Sequence, residues 1–230
     1  MNIVITGSRK GIGRFLCEYY AGKGHTVVGC SREMSDCGAK GYTHFCADVT
    51  EEKSVGEFVS FVRKTMKEVD VLINNAGIAS MNHFLTTPPE TAKKLMAINY
   101  IGTFNCSRAF LGLLKKSAHP RIVNFSTVAV PLNLEGELAY VVSKSAVESF
   151  TRVLAKEIAV FDVTVNAVGP TPIDTDLISK VPKEKIDKLV SMQAIKRLGI
   201  MDDVANVIDF FIRPESDFIT GQVIYLGGVS

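Results

Sequence analysis

Short runs of apolar, mostly β-branched residues recur along the chain, with amphipathic stretches between them. The runs are Ile3 to Ile5, Thr26 to Val28, Thr43 to Ala47, Val71 to Ile73, Arg121 to Phe125, Val163 to Val168 and Gln222 to Leu226. They are continuous rather than alternating, which is how strands covered on both faces of a parallel sheet read. Between them, Val55, Phe58, Val59, Val62 and Met66 recur at helical spacing, and Phe15, Leu16 and Tyr19 mark one face of an earlier helix. Strand and helix in alternation predict an α/β fold, a doubly wound sheet of seven parallel strands with helices on both faces. No repeat, low-complexity segment or linker divides the sequence, so residues 1–230 are expected to form a single domain. The least regular stretch, residues 169–197, holds Pro170, Pro172 and Pro182 and then the amphipathic piece Lys183 to Leu189. An insertion this long beyond the carboxyl end of a strand is expected to form a substrate lid, with a plain surface loop carrying a short helix as the alternative.

Composition narrows the picture. With 230 residues and 47% hydrophobic content, the chain can bury one substantial core. Charged residues make up 22% and the formal net charge is +2, so no strong field points to nucleic acid or a membrane surface. The pairs Lys93-Lys94 and Lys115-Lys116 read as solvated helix surface. Five cysteines, an odd number with no CxxC spacing, predict free thiols rather than a disulfide framework or a metal site. No apolar segment reaches membrane-spanning length, and the first strand-like run begins at Asn2, which leaves no room for a leader. A cytoplasmic protein is expected.

The stretch Thr6-Gly7-Ser8-Arg9-Lys10-Gly11-Ile12-Gly13 follows the first strand and opens a helix. Glycines there let the backbone turn tightly and approach a pyrophosphate, and the new helix offers unpaired N–H groups to the anion. That context predicts a Rossmann-type nucleotide site. A second stretch, Ala139-Tyr140-Val141-Val142-Ser143-Lys144, puts a phenol and an ammonium on one helix face. A free tyrosine has a pKa near 10. A cation about 5 Å away at an effective dielectric of about 20 favours phenolate by roughly 3 kcal/mol, or about two pKa units. Lys144 is therefore expected to lower the Tyr140 pKa toward a useful range for proton transfer.

These motifs together resemble the short-chain dehydrogenase/reductase family in its classical form. The Thr-Gly-x-x-x-Gly-Ile-Gly pattern, Asn74-Asn75-Ala76-Gly77, Asn99, Tyr140-x-x-x-Lys144, Arg197-Leu198-Gly199 and Ile219-Thr220-Gly221-Gln222 match the family's motifs in order across nearly the whole chain. The resemblance implies an NADP(H)-dependent oxidoreductase of carbonyl reductase or alcohol dehydrogenase type, acting on a small carbonyl or alcohol substrate. It implies catalytic roles for Asn99, Thr127, Tyr140 and Lys144. Thr127 stands thirteen residues before Tyr140, where relatives carry serine; the adjacent Ser126 points to the opposite face of a strand and is the alternative.

By the same resemblance, the cofactor is expected to touch Gly7, Ser8, Arg9, Lys10, Gly11, Ile12 and Gly13, then Ser31 and Arg32. Beyond these it reaches Asp48 and Val49, Asn75, Ala76 and Gly77, Tyr140 and Lys144, and Pro170, Thr171 and Ile173. Ser31 falls where NAD-preferring relatives carry aspartate, and the planar fork of Arg32 suits a 2′-phosphate. NADP(H) is therefore expected over NAD(H), with Glu33 as a counter-signal. Asp48 alternatively caps the next helix. Relatives pair through helices around Leu95 to Leu114 and Val141 to Ile158, which implies a homodimer or homotetramer; Phe104, Phe110, Val147 and Phe150 serve either that interface or the core. A cofactor-binding sensor that has lost catalysis is the alternative from another functional class, and an isomerase or dehydratase is disfavoured by the chain's length.

Overall fold

A computed structural model of the chain describes residues 1–173 and 183–229. Seven strands, β1 (Asn2–Thr6), β2 (Thr26–Ser31), β3 (Tyr42–Cys46), β4 (Val71–Asn74), β5 (Arg121–Phe125), β6 (Thr164–Gly169) and β7 (Val223–Tyr225), form one parallel sheet in the order β3-β2-β1-β4-β5-β6-β7. Every apolar run read as a strand is one. The continuous-run argument holds in the middle of the sheet, where all of Ile3, Val4 and Ile5 and all of Val71, Leu72 and Ile73 are buried. It fails at β3, which lies at the edge of the sheet and leaves Thr43 and Cys46 exposed.

Helices cover both faces. On one side, α1 (Gly11–Gly22) and α7 (Met201–Ile212) pack on Ile3, Ile5, Val27, Ile73 and Val123 through Leu16, Tyr20, Ile208 and Phe211. On the other, α2 (Glu52–Thr65), α4 (Gly102–Leu114) and α5 (Leu138–Glu157) pack on Val4, Val28, Leu72 and Ile122 through Phe58, Val62, Phe110, Leu114 and Ala155. Successive strand residues therefore feed opposite cores, as the pleat dictates. The α2 stripe predicted from periodicity is the buried one, and Phe58 is its centre, stacked on Phe45 at 5.6 Å and meeting Phe110 edge-on at 5.3 Å.

Two shorter helices, α3 (Pro89–Leu95) and α6 (Lys183–Met192), complete the set, and α3 runs through a π-helical turn, Met96–Ile101, into α4. The expected lid over 169–197 contributes α6; its residues 174–182, including Leu177, Ile178 and Pro182, lie outside the described residues. Phe110 and Val147 belong to the core, whereas Phe104 is exposed and packs on half-buried Phe150. Among the described residues no helix is long and apolar enough to cross a membrane.

The strand order reverses between β1 and β4. The loops that follow these two strands leave the sheet side by side at its carboxyl edge, the switch point outside which doubly wound sheets bind their ligands in a crevice. The loops after β5 and β6 emerge at the same edge.

Truncating Phe58 to alanine should lower the unfolding free energy by about 3–5 kcal/mol in urea titrations, because the ring is fully buried between two others. Phe218→Ala, at a side chain 99% exposed, should change it by less than about 0.5 kcal/mol.

Candidate active site

The loop from β1 to α1 is shaped by close approach. Gly7 has φ +70°, and a Cβ there would stand 2.8 Å from the Ala76 Cα. A Cβ on Gly13 would collide with the Gly7 carbonyl and the Asn75 amide. Asn75 fills the space those glycines leave, donating through Nδ2 to the carbonyls of Thr6 at 2.9 Å and Gly7 at 3.0 Å, while the Ala76 N–H reaches Thr6 Oγ1 at 3.0 Å. The two loops are thus one unit. Lys10 caps α1 with extended backbone and no side-chain hydrogen bond, so the first-turn N–H groups of α1 have no side-chain acceptor at the cap. Gly11, Ile12 and Gly13 form that first turn. Ser8 is buried under the loop, Arg9 is half-buried, and Lys10 is exposed.

At the end of β2, the Ser31 hydroxyl donates to the Glu33 carbonyl at 2.6 Å. The Glu33 carboxylate pairs with Arg9 at 3.2 Å, not with Arg32, which is exposed and makes no ion pair among the described residues. The counter-signal of Glu33 is therefore tied to the glycine loop. Asp48 does not cap α2, whose N-cap Glu51 carries no side-chain hydrogen bond; its Oδ1 closes the turn before the helix, accepting from the Thr50 N–H at 2.9 Å and the Thr50 hydroxyl at 2.8 Å. Val49 turns its side chain inward, where a Cβ on Gly102 would meet it at 2.6 Å, so that side chain packs rather than lining the crevice.

Tyr140 and Lys144 lie one turn apart on α5. Lys144 is buried and donates from Nζ to the Phe125 carbonyl, the last of β5, at 2.8 Å. Burial lowers its pKa to about 8. Tyr140 is half-buried, and its pKa is pushed up to about 12 by burial; the Thr127 hydroxyl opposes that shift and the Glu137 carboxylate adds to it. This corrects the sequence expectation. Spacing alone had Lys144 pulling the phenol down, whereas burial pushes the phenol up and the ammonium down, and Lys144 is not among the groups that lower the phenol. Glu137 itself is buried, which raises its pKa to about 7 against the opposing charge of Lys185 on α6.

The neighbouring hydroxyls separate cleanly. Ser126 points away from Tyr140 and donates to Glu148 Oε1 at 2.5 Å, beside the Tyr225 hydroxyl, which donates to the same oxygen at 2.6 Å. Arg152 reaches the other oxygen at 3.2 Å. Thr127 faces Tyr140, and its Oγ1 also accepts from the Ala129 N–H at 3.2 Å. Asn99, fully buried in the π-helical turn, accepts from the Ile78 N–H at 2.8 Å. It donates to the Ile78 carbonyl at 3.0 Å and to Ser143 Oγ at 2.9 Å. It holds the Gly77–Ile78 loop to α5, and it meets Lys144 across Gly77, whose Cβ position lies 3.3 Å from Asn99 Oδ1 and 3.4 Å from Lys144 Nζ.

Beyond β6, the Pro170 carbonyl accepts from the Val128 N–H at 3.1 Å, which joins this segment to the Thr127 loop. Thr171 is buried with its Oγ1 unpartnered among the described residues, and Ile173 is buried in a bridge to Gly199. Sequence reasoning did not single out Glu137, Ser143, Glu148, Tyr42, His44 or Tyr225. Of these only Ser143 carried a local signal, inside the Tyr140–Lys144 turn.

A dinucleotide fits these residues. Gly11, at φ +57° with nothing within 4 Å of its Cβ position, leaves space for a pyrophosphate at the uncapped first turn of α1, the buried Thr171 hydroxyl has no partner among the described residues and so a hydrogen bond to give, and Arg32 offers its guanidinium beyond Ser31.

Comparison with known proteins agrees. A family model described as enoyl-(acyl carrier protein) reductase matches residues 7–229. A 3-oxoacyl-[acyl-carrier-protein] reductase of Haemophilus influenzae is 29% identical, over 98% of this chain and 96% of its own. The Aquifex aeolicus enzyme of the same name is 31% identical, over 98% and 95%. The ligand-free structure of Thermoplasma acidophilum aldohexose dehydrogenase superposes with a TM-score of 0.89 at 30% identity, covering 99% of this chain and 93% of that one. The chain belongs to the short-chain dehydrogenase/reductase family, as an NADP(H)-dependent oxidoreductase working between C=O and CH–OH groups.

Proposed function

We propose that the protein is a carbonyl reductase. The observation that carries this reading is the convergence at the end of β5 of the Tyr140 phenol, the Thr127 hydroxyl facing it and the buried Lys144 ammonium. Bound NADPH would supply the hydride. Gly7 to Gly13 would hold its pyrophosphate, Arg32 and Ser31 its 2′-phosphate, and Lys144 and Thr171 its nicotinamide end. The Thr127 hydroxyl hydrogen-bonds the substrate carbonyl oxygen, and its methyl narrows what that oxygen's substituents can be. Tyr140 gives the oxygen a proton as it becomes an alkoxide. A phenol at or above its ordinary pKa carries its proton at neutral pH, so Tyr140 enters the reaction with the proton that reduction needs.

Lys144 contributes positive charge that stabilises the phenolate left behind. Asn99 is a positioning residue, fixing the Gly77–Ile78 loop against the helix that carries the acid. Half-buried Met81, Leu132 and Leu134 line an apolar-leaning mouth. Together with the acyl-carrier relatives they favour ketones carrying an acyl chain, such as 3-oxoacyl thioesters. We read the protein as a cytoplasmic homo-oligomer: unpaired thiols suit a reducing compartment, and exposed Phe104, Val142 and Val153 on α4 and α5 offer an apolar face to a second copy.

NADPH consumption with a panel of 3-oxoacyl thioesters, quinones and simple ketones tests the reading; turnover of a 3-oxoacyl thioester is expected, and silence across the panel would favour the sensor alternative. Tyr140→Phe should cut kcat at least about a thousandfold while NADPH affinity stays within about threefold. Undiminished turnover would refute the acid's assignment. The pH profile has a definite sign. Lys144 is charged below about 8 and loses its proton above, so kcat/KM for reduction should fall as pH rises through that value. The limb should survive in Glu137→Gln, which excludes the carboxyl as its source; a limb at the ordinary lysine value of 10.5 would contradict the geometry.

A further inference from the structure

A chain of hydrogen bonds crosses the adenosine end of the crevice and uses residues outside the family motifs. Ser8 Oγ, in the glycine loop, stands 2.9 Å from the Tyr42 hydroxyl on β3. That hydroxyl lies 2.7 Å from His44 Nδ1, two residues along the same strand. His44 Nε2 lies 3.0 Å from the Glu33 carbonyl and 3.2 Å from Ser31 Oγ. The proton positions follow from chemistry. A carbonyl only accepts, so Nε2 carries the imidazole hydrogen and Nδ1 is the acceptor. Tyr42 therefore donates to Nδ1, and the Ser8 hydroxyl, whose other contact is Nδ1 at 3.4 Å, donates to the phenol oxygen. Burial keeps the imidazole below its usual pKa and the Tyr42 phenol above its own, so both stay in these forms at neutral pH.

The Glu33 carbonyl consequently accepts twice, from Ser31 Oγ at 2.6 Å and from His44 Nε2. A phosphate arriving beside Ser31 competes for the serine proton. If that proton turns to the phosphate, His44 still satisfies the carbonyl, and the turn from Ser31 to Glu33 keeps its shape without an orphaned acceptor. The Glu33 carboxylate meanwhile stays with Arg9, away from Arg32.

We propose that His44 is a specificity-determining positioning residue for the 2′-phosphate of NADP(H), freeing the Ser31 hydroxyl to donate to that phosphate while holding the Ser31–Glu33 turn in place. The inference rests on the cofactor reading of the same site. It distinguishes the two dinucleotides because only the phosphorylated one asks Ser31 to turn. Other titratable and charged groups near the imidazole are Tyr42 on its own strand, Cys17 on α1 and Cys37, which both act on Tyr42, and the Arg9–Glu33 pair, whose Glu33 carbonyl the imidazole meets.

Calorimetric binding of NADP⁺ and NAD⁺ to the purified full chain tests it without turnover. The wild type should favour NADP⁺; equal affinities would instead sink the cofactor reading itself. In His44→Phe the NADP⁺ constant should weaken about tenfold, the worth of one hydrogen bond, with NAD⁺ changed less than about twofold. His44→Gln, whose amide can donate from near the Nε2 position, should restore the wild-type ratio to within about threefold. If His44→Phe does not fold, His44→Asn, too short to reach the Glu33 carbonyl, should show the same selective loss. Equal weakening of both dinucleotides, or an unchanged ratio in the Phe or Asn variant, overturns the proposal.

Discussion

The hydrogen bond from the Lys144 ammonium to the Phe125 carbonyl, 2.8 Å long and buried, fixes where α5 meets the end of β5. A charge this deep is tolerated only with a partner. The partner here is the last peptide of the strand that delivers Thr127 two residues later. One contact therefore sets three positions together: the ammonium, the threonine hydroxyl beyond the strand, and the phenol one turn before the lysine. The β1 and β4 loops, stapled by Asn75, and the Gly77–Ile78 loop, pinned by Asn99, close the crevice around that point.

Much of this was legible in the sequence because the relevant physics is local. Central strands of a doubly wound sheet are dry on both sides, and their apolar runs say so; the glycine cluster announces a tight turn, although at Gly7 and Gly13 it is Ala76 and Asn75 that take the space a Cβ would need. Strand alternation is the ground for preferring Thr127 to Ser126; β5 ends at Phe125, before both, and the two hydroxyls face different partners, Glu148 and Tyr140. The edge strand β3 misled because its run of Thr43 to Ala47 looks like its neighbours, and nothing local says that the sheet ends there.

What the sequence hid depends on surroundings assembled from afar. Residue spacing suggests an attraction between Tyr140 and Lys144 but carries no account of burial, which raises the phenol and lowers the ammonium. Glu148 gathers Ser126, Arg152 and Tyr225, the last from another strand altogether, and no motif marks it. His44 belongs to a strand whose pattern speaks only of packing, yet its ring joins two cofactor loops that meet it only in three dimensions. The spacing put Tyr140 and Lys144 on one helix face; the carboxylates around them, Glu137 and Glu148, had to be seen in place.

The Glu148 cluster has a consequence for biosynthesis. The orientation of Thr127 is braced through Ser126, which shares its carboxylate with Tyr225 of β7. During translation the sheet can add strands in the order they emerge, and the nucleotide loops of β1 and β4 are complete well before midway. The brace behind the Thr127 hydroxyl is complete only once β7 has left the ribosome. A nascent chain can therefore pair the loops of β1 and β4 long before the Thr127 hydroxyl is held in register, an order of maturation in which one half of the crevice precedes the other.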